Sequence, residues 1–464
     1  MLAATLCVSA VGCTNSNNNN NSGDASSLGS TTVYTKGVSE IKLSGTFIQS
    51  WLCSAWSDER WAEELTMMKG LGMEYIVLGD SATKDTSGSW YSFYPSQLDG
   101  LKEGNGSVDT VENALRNCQK FGIKVFVGMG LDEKWWDKFV YDSDWFNESN
   151  TKYTEIAQEL YDLYKKDYGD TFYGWYWVPE IWNADVFNHS SSSRDASITV
   201  LANGLDIVLD YLTQLSPEMP MMLSPFANTD LGSADDNYLF WRDLIKEVNF
   251  REGDILCPMD SVGAGGTKIQ YLDKWFEAYS KAVAETGKVE FWANCEDFGY
   301  TMDKEACSAN WDRFLQQMTI VSKYCEKTIT FAYAHYYSPY NTIDGFNKTY
   351  EDYLKNGKLE TEKPSVPQNL TVKFENKVAI LDWDASTDNM GVSRYNIYRN
   401  DKMIENICVG RSDNAVAVPK LETSTTDWDA KDLFSTDGMI TYSVTAVDCA
   451  GNESDKAEFI LKQS

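Results

Sequence analysis

A chain of 464 residues, 43% hydrophobic and 13% aromatic, is long enough for two or three domains at ~150 residues each, or for one large barrel plus an appendage. With 69 acidic against 40 basic residues its net charge is −29, which repels phosphate backbones and argues against a nucleic-acid partner. Only two histidines occur, His189 and His335, and there is no HExxH, Walker loop or GxSxG elbow, so no metal and no organic cofactor is expected.

Residues 2–12, LAATLCVSAVG, are apolar and small but too few to span a bilayer, so they read as the end of a signal segment. The ending Ala10-Val11-Gly12-Cys13 resembles a bacterial lipobox, which implies cleavage before Cys13 and a lipid on its sulfur. Residues 14–37, rich in Asn, Ser and Gly, have nothing to bury and form a flexible tether. An exported lipoprotein is therefore expected, held at the cell surface or in the periplasm and touching membrane only through its anchor. Without Cys7 and Cys13 eight cysteines remain, with no CxxC pair. They sit in strand-like and helical runs as small core residues, and their pairing is left open.

From residue 38 onward a repeating beat of buried strands appears: KLSGTFIQ (42–49), EYIVLGD (74–80), KVFVGMG (124–130), FYGWYWVPE (172–180), PMMLSPF (220–226), DILCPMD (254–260), KVEFWANCE (288–296) and TITFAYAH (328–335). Intervals of roughly 30 to 50 residues leave room for a helix and a return. Amphipathic helices fill them. Ser57 caps a helix with Trp61, Leu65 and Met68 on one face, and Ser107 opens another that Gly122 ends. Residues 268–287 and 310–327 follow the same pattern. Strands apolar on both faces, alternating with helices, predict a parallel sheet closed as a (β/α)₈ barrel over residues 38–358. An open doubly wound sheet is the alternative, but its Gly-rich first turn is missing.

Barrel chemistry belongs at the C-terminal strand ends. There the sequence places Gln49 with Trp51, Asp80, Glu180 with Trp182, Asp260, Glu296, and His335 with Tyr337. Alternation puts Tyr176, Val178 and Glu180 on one face of the fourth strand, and Trp292, Asn294 and Glu296 on one face of the seventh. If the glutamates face the mouth, Trp175 and Trp177 face the helices. Two glutamates across a barrel mouth suit a retaining glycosidase, with carboxyl groups ~5–5.5 Å apart. In that reading Glu180, among Tyr176, Val178 and Trp182, keeps its proton, while Glu296, beside Asn294 and Asp297, stays ionised. Asp260 is the rival carboxylate. The rings of Trp51, Trp56, Trp135, Trp136, Trp182 and SWYSFYPS (89–96) fall in loops where they can stack on sugars. The glycines of GAGG (263–266) could cradle a phosphate, but without a fingerprint they read as a turn.

After the linker NGKLETEKPSVPQ the texture changes to short alternating strands over residues 364–464. Pro367, Trp383, Tyr395, Tyr398 and Tyr442 carry a resemblance to a fibronectin type III domain, which implies an all-β sandwich serving as a spacer or docking surface. With a core of its own, such a tail should be dispensable to the barrel. The motifs GTFIQSW, MKGLGMEYIVL, GWYWVPEIWN, PMDSVG and FWANCEDF together resemble a bacterial, Bacteroidetes-type family of lipoprotein barrels of unknown function grouped with the glycoside hydrolases. More distantly, residues 38–355 are similar to the retaining barrel glycosidases. That similarity implies acid/base and nucleophile roles for Glu180 and Glu296, with Pro179 standing where those enzymes carry Asn. A monomeric, cofactor-free hydrolase of an oligo- or polysaccharide is the expectation, with Gln49, Trp51, Asp80, Trp182, Asp260, Asn294, His335 and Tyr337 contacting the sugar. A glycan-binding lipoprotein with an aromatic cleft and no turnover is the alternative.

Overall fold

The computed structural model describes residues 33–104, 106, 108–183, 191–375, 378–409, 420–425 and 439–462. Cys7, Cys13, the tether up to residue 32, Ser107 and His189 lie outside the described residues.

Eight parallel strands follow the predicted beat: β1 (Gly45–Ile48), β2 (Tyr75–Lys84), β3 (Lys124–Asp132), β4 (Phe172–Trp177), β5 (Met221–Leu223), β6 (Ile255–Leu256), β7 (Glu290–Glu296) and β8 (Lys327–Phe331). Each pairs with its chain neighbour, and β8 returns to β1 in the register Gly45↔Ile329, closing the barrel. Three strands stop short of the apolar runs that announced them. Pro179, Pro225 and Pro258 follow β4, β5 and β6, and a proline offers no N–H to a ladder. Beyond β6 a single bridge, Met259↔Asn294, carries the pairing on toward Asp260.

Side chains alternate as the strand period requires. Phe47, Tyr75, Val77, Phe126, Tyr176, Met222, Ile255, Cys257, Trp292 and Ile329 fill the lumen as one apolar cluster. The opposite faces, including Trp175, Trp177, Phe291, Ala293 and Cys295, pack against the helices. Trp175 and Trp177 are fully buried, and their ring N–H groups donate to Ser216 Oγ and Asn150 Oδ1, both at 2.9 Å. The Trp-Tyr-Trp run before Glu180 is therefore wall, each ring contributing ~2–3 kcal/mol by burial.

Among the helices, Asp58–Gly70 is capped by Ser57 Oγ, and Trp61, Leu65 and Met68 are buried. The next, Thr110–Phe121, ends at Gly122 in a left-handed turn (φ 63°), but its cap is Asp109, whose carboxylate accepts from Glu112 N at 2.9 Å. Of the eight described cysteines, seven are buried and Cys408 is half-buried.

The C-terminal residues form two antiparallel sheets. Strands β9 (Gln368–Glu375), β10 (Val378–Asp384) and β13 (Lys420–Thr425) make one, in the order β9-β10-β13. Strands β11 (Val392–Arg399), β12 (Lys402–Cys408), β14 (Met439–Asp448) and β15 (Ala457–Lys462) make the other, in the order β12-β11-β14-β15. Trp383, Tyr395 and Tyr442 are buried between them with Leu381, Ile397 and Val444. The sandwich does have its own core, yet it is not a detached spacer. Its Cys449 is fully buried in the cluster that packs the barrel helices. At Gly345, on the barrel side, an added Cβ would lie 1.7 Å from Met390 O.

Candidate active site

The C-terminal strand ends bring the predicted carboxylates to one mouth. A bulge between Leu78 and Asp80 in β2 re-aims the chain there, and Gly79 and Gly128 let β2 and β3 approach so closely that a Cβ on Gly128 would sit 2.3 Å from Gly79 O. Asp80 accepts a hydrogen bond from Thr83 Oγ1. Beyond β4, Glu180 is half-buried above Tyr176 and Val178, and its backbone carbonyl accepts from Trp135 Nε1 at 3.0 Å. Burial pushes the Tyr176 hydroxyl well up, and the charges of Glu180 and then, more weakly, Asp80 push it further, so both carboxylates lie near the same phenol.

Across the mouth, Glu296 ends β7 and is 3% exposed. Its Oε2 accepts the Ala264 N–H at 2.7 Å. The Gly-rich loop after β6 thus cradles a carboxylate, and Gly263 is the residue that lets it close. A Cβ there would lie 2.5 Å from Phe298 O and 2.8 Å from Glu296 Cβ. Asp260 is buried beside Glu296. Its Oδ1 accepts from Val262 N (3.1 Å) and Glu296 N (3.2 Å), and its Oδ2 accepts from Gln317 Nε2 at 2.5 Å. Ser261, next in the chain, takes a left-handed backbone (φ 56°), at a cost of ~1–2 kcal/mol for a residue with a Cβ. Strain of this kind collects at functional sites.

Two side chains that the strand pattern does not reveal complete this side. Gln317 also donates to Glu296 O at 3.1 Å, and Arg313 donates to Glu296 O at 3.4 Å and to Phe298 O. Both lie on the helix Trp311–Val321, one turn apart. Gln317 sits with Phe314, Met318 and Val321 on the buried face, and a fully buried amide on an apolar stripe is the one sequence signal that marks it.

The electrostatics run differently from the expectation at one point. Burial lifts the Glu180 carboxyl to about 7, and among the described residues no hydrogen bond or cation acts to lower it. Glu296 is lifted to about 8, first by burial and then by the charge of Asp260, with a smaller push from Glu180; the Ala264 amide and Arg313 pull the other way. The prediction that a polar setting keeps Glu296 ionised in the free protein is therefore corrected. The dominant charged neighbour is Asp260, an acid in the loop after β6, not Asn294. Asp260 is raised too, by burial, but Gln317 and the Val262 and Glu296 amides oppose the rise. Asp297, next to Glu296 and fully buried, is lifted to about 8 by burial, against Thr330 and the Ala332 amide. Among the described residues no three of His, Cys, Asp and Glu converge as metal ligands would.

Other predicted contacts are sorted by the structure. Gln49 stands at the N-cap position of the short helix Ser50–Cys53 without a side-chain capping bond, and Trp51 on that helix is 51% exposed, with its ring edge-on to His335 at 5.5 Å. Asn294 is fully buried below Glu296, donating to Ser224 Oγ at 3.1 Å. Trp182 is half-buried and lines a narrow crevice with Phe226, Phe240 and Trp241. Tyr337 does not reach the mouth. A helical turn, Tyr333–Tyr336, follows β8 and breaks the alternation, so the Tyr337 ring stacks on Trp311 at 4.7 Å and its hydroxyl donates to Ala309 O at 2.9 Å. Of the rings offered for stacking, Trp135 and Tyr94 are also buried, while Trp136 and Tyr91 are exposed.

With that geometry in view, the family profile DUF4434, a domain of unknown function, matches residues 43–343, the barrel with all its carboxylates. The chain belongs to the DUF4434 family. Chitinase Chi52 of Paenibacillus xylanexedens is 34% identical over 96 residues, covering 20% of this chain. The chain spans only 15% of the length of that relative. A "putative alpha-L-fucosidase" from Bacteroides thetaiotaomicron superposes with a TM-score of 0.54 at 22% identity, over 72% of this chain and 99% of its own, which shows a common fold. Chitinase ChiA74 from Bacillus thuringiensis matches over 91% of this chain and 85% of its own, at 11% identity and a TM-score of 0.40.

Proposed function

We propose that this DUF4434 protein is a surface-anchored glycoside hydrolase that cleaves an oligo- or polysaccharide by a retaining, two-glutamate mechanism. One observation carries the reading: Glu180, after β4, and Glu296, at the end of β7, lie at the C-terminal strand ends of one closed parallel barrel. The fucosidase and chitinase names among similar proteins support the same class.

In this mechanism Glu296 first gives its own proton to solvent water; Glu180 then gives its proton to the glycosidic oxygen as the bond to the anomeric carbon breaks, and a carboxylate oxygen of Glu296 attacks that carbon. Glu180, now ionised, then takes a proton from water, which displaces the sugar from Glu296 and restores both groups. Glu180 suits the acid role because burial favours its neutral form and, among the described residues, no donor stabilises its anion. Glu296 suits the nucleophile because the Ala264 amide and Arg313 do serve its anion, and Asp260 strengthens it as a base. Positive charge developing on the sugar ring lowers the proton affinity of Glu296 when it must be ionised. In this reading Trp51, Asp80 and His335 contact the sugar. The tail is read as a fibronectin type III-like module, and Cys13 as the lipid anchor.

The test is a pair of variants on an activated aryl glycoside that wild type cleaves. Glu180→Ala should retain turnover on it and be accelerated by azide, with azide entering the product, whereas Glu296→Ala should be inactive on every substrate. Near-normal activity of Glu296→Ala, or loss in Asp260→Ala without loss in Glu180→Ala, overturns the assignment. Glycan binding by wild type without any turnover favours a binding protein instead.

A further inference from the structure

The helix Trp311–Val321 that clamps Asp260 and Glu296 has an unusual start. Its N-cap residue, Asn310, makes no side-chain bond to its own helix. A helix leaves its first N–H groups without intrahelical partners, and they are ordinarily served by such a cap or by water. Here the C-terminal sandwich serves them. Trp311 N donates to Cys449 O and Asp312 N to Ala450 O, each at 2.9 Å. Asn310 Nδ2 turns outward across the same seam, donating to Ser393 Oγ at 3.0 Å and to Asp448 O. Asn310, Ser393, Asp448 and Cys449 are all at least nine-tenths buried.

The fit is close enough to require a glycine. At Gly451 (φ +110°) an added Cβ would lie 2.3 Å from Asp312 Cγ. The Trp311 ring, stacked on Tyr350 at 4.4 Å and donating to Phe346 O at 2.8 Å, fixes the rotation of the helix. One turn on, Arg313 and Gln317 reach the end of β7 and Asp260. The path from the tail loop to the buried carboxylates is therefore one short helix, capped at its start by another domain.

We infer that the C-terminal domain is a positioning element for the carboxylate site. Its loop Asp448–Gly451 caps and locates the helix whose Arg313 and Gln317 hold Asp260 and Glu296. This goes beyond the hydrolase reading, and only the kinetic arm of the test depends on that reading.

The experiment is hydrogen exchange read by mass spectrometry on full-length Asn310→Ala and Gly451→Ala, the first losing two bonds across the seam and the second adding a clash. The control is Asn406→Ala, which removes a different bond between the tail and the barrel (Met302 N to Asn406 Oδ1, 2.8 Å) without touching the helix. Peptides covering residues 311–317 and 294–298 should exchange at least tenfold faster in both seam variants, with β2 and β3 unchanged and the control like wild type. If Gly451→Ala does not fold, Asn310→Ala decides alone. Wild-type exchange at 311–317 overturns the inference, as does equal acceleration throughout the barrel or in the control. On any glycan that wild type cleaves, the seam variants should lose at least fivefold in kcat with KM within twofold. A loss carried by KM alone overturns the positioning role, while a wild type with no turnover counts against the hydrolase reading and leaves the exchange result to judge this one.

Discussion

Replacing Glu296 by glutamine removes one ionisable group and little else, because both the amide and the neutral acid can accept the Ala264 N–H. In the folded chain the Glu296 carboxyl is held up to about 8, against ~4.3 when unfolded. Between those values the folded state binds more protons than the unfolded one, so this group's contribution to stability is greatest in acid, falls as pH rises, and is gone only above pH 8. At ~1.4 kcal/mol per pH unit the ceiling on this loss is ~5 kcal/mol, and because Asp260 shares the coupling we expect ~2–4 kcal/mol. Glu296→Gln should therefore match wild type within ~1 kcal/mol at pH 5 and exceed it by ~2–4 kcal/mol at pH 9, since the glutamine has no proton to lose. Urea unfolding followed by tryptophan fluorescence at the two pH values gives the difference directly. A stability difference between variant and wild type that is the same at pH 5 and pH 9 would mean that Glu296 titrates as an ordinary solvated carboxyl, and would refute the buried, Asp260-coupled site.

Gly263→Ala drives a methyl into Phe298 O and Glu296 Cβ; it should cost ~1–3 kcal/mol and at least tenfold in kcat, seen by melting and steady-state kinetics. Gln317→Leu leaves Asp260 Oδ2 and Glu296 O without that donor, and unfolding should show a loss of ~1–3 kcal/mol. Trp383→Ala empties the centre of the C-terminal sandwich, where the ring is fully buried; a tail transition ~3–5 kcal/mol weaker should appear in urea.

The barrel is legible in the sequence because parallel strands are buried on both faces. Runs such as YIVLGD and KVFVGMG then stand out against helices with a single apolar stripe. The mouth is legible for a related reason: a lone acid ending an apolar strand, as at Glu180 or Glu296, has few packing explanations. What escapes is whatever depends on neighbours from elsewhere in the chain. The proton affinity of Glu296 is raised by burial and then by the charge of Asp260, 36 residues away, and no local window contains both. Tyr337, read as a residue just past the end of the eighth strand, misses the mouth because a helical turn follows β8. Trp135 and Tyr94 sit in loop-like segments, yet their rings turn inward, Trp135 to the carbonyl of Glu180 and Tyr94 to Glu159. The seam at Asn310 is invisible because its two sides, the start of the helix over 310–327 and the strands of the tail, lie 83 or more residues apart in segments read as separate domains.

The central claim is that Glu180 and Glu296 together cleave a glycosidic bond. The most direct measurement is release of reducing ends from a broad panel of oligo- and polysaccharides by purified protein, with Glu296→Gln run in parallel at equal concentration and shown to be folded. The account predicts that wild type releases sugar from at least one member and that Glu296→Gln releases at least a thousandfold less from the same member. Equal release by the two proteins, or binding to a panel member with no release by wild type, would contradict it.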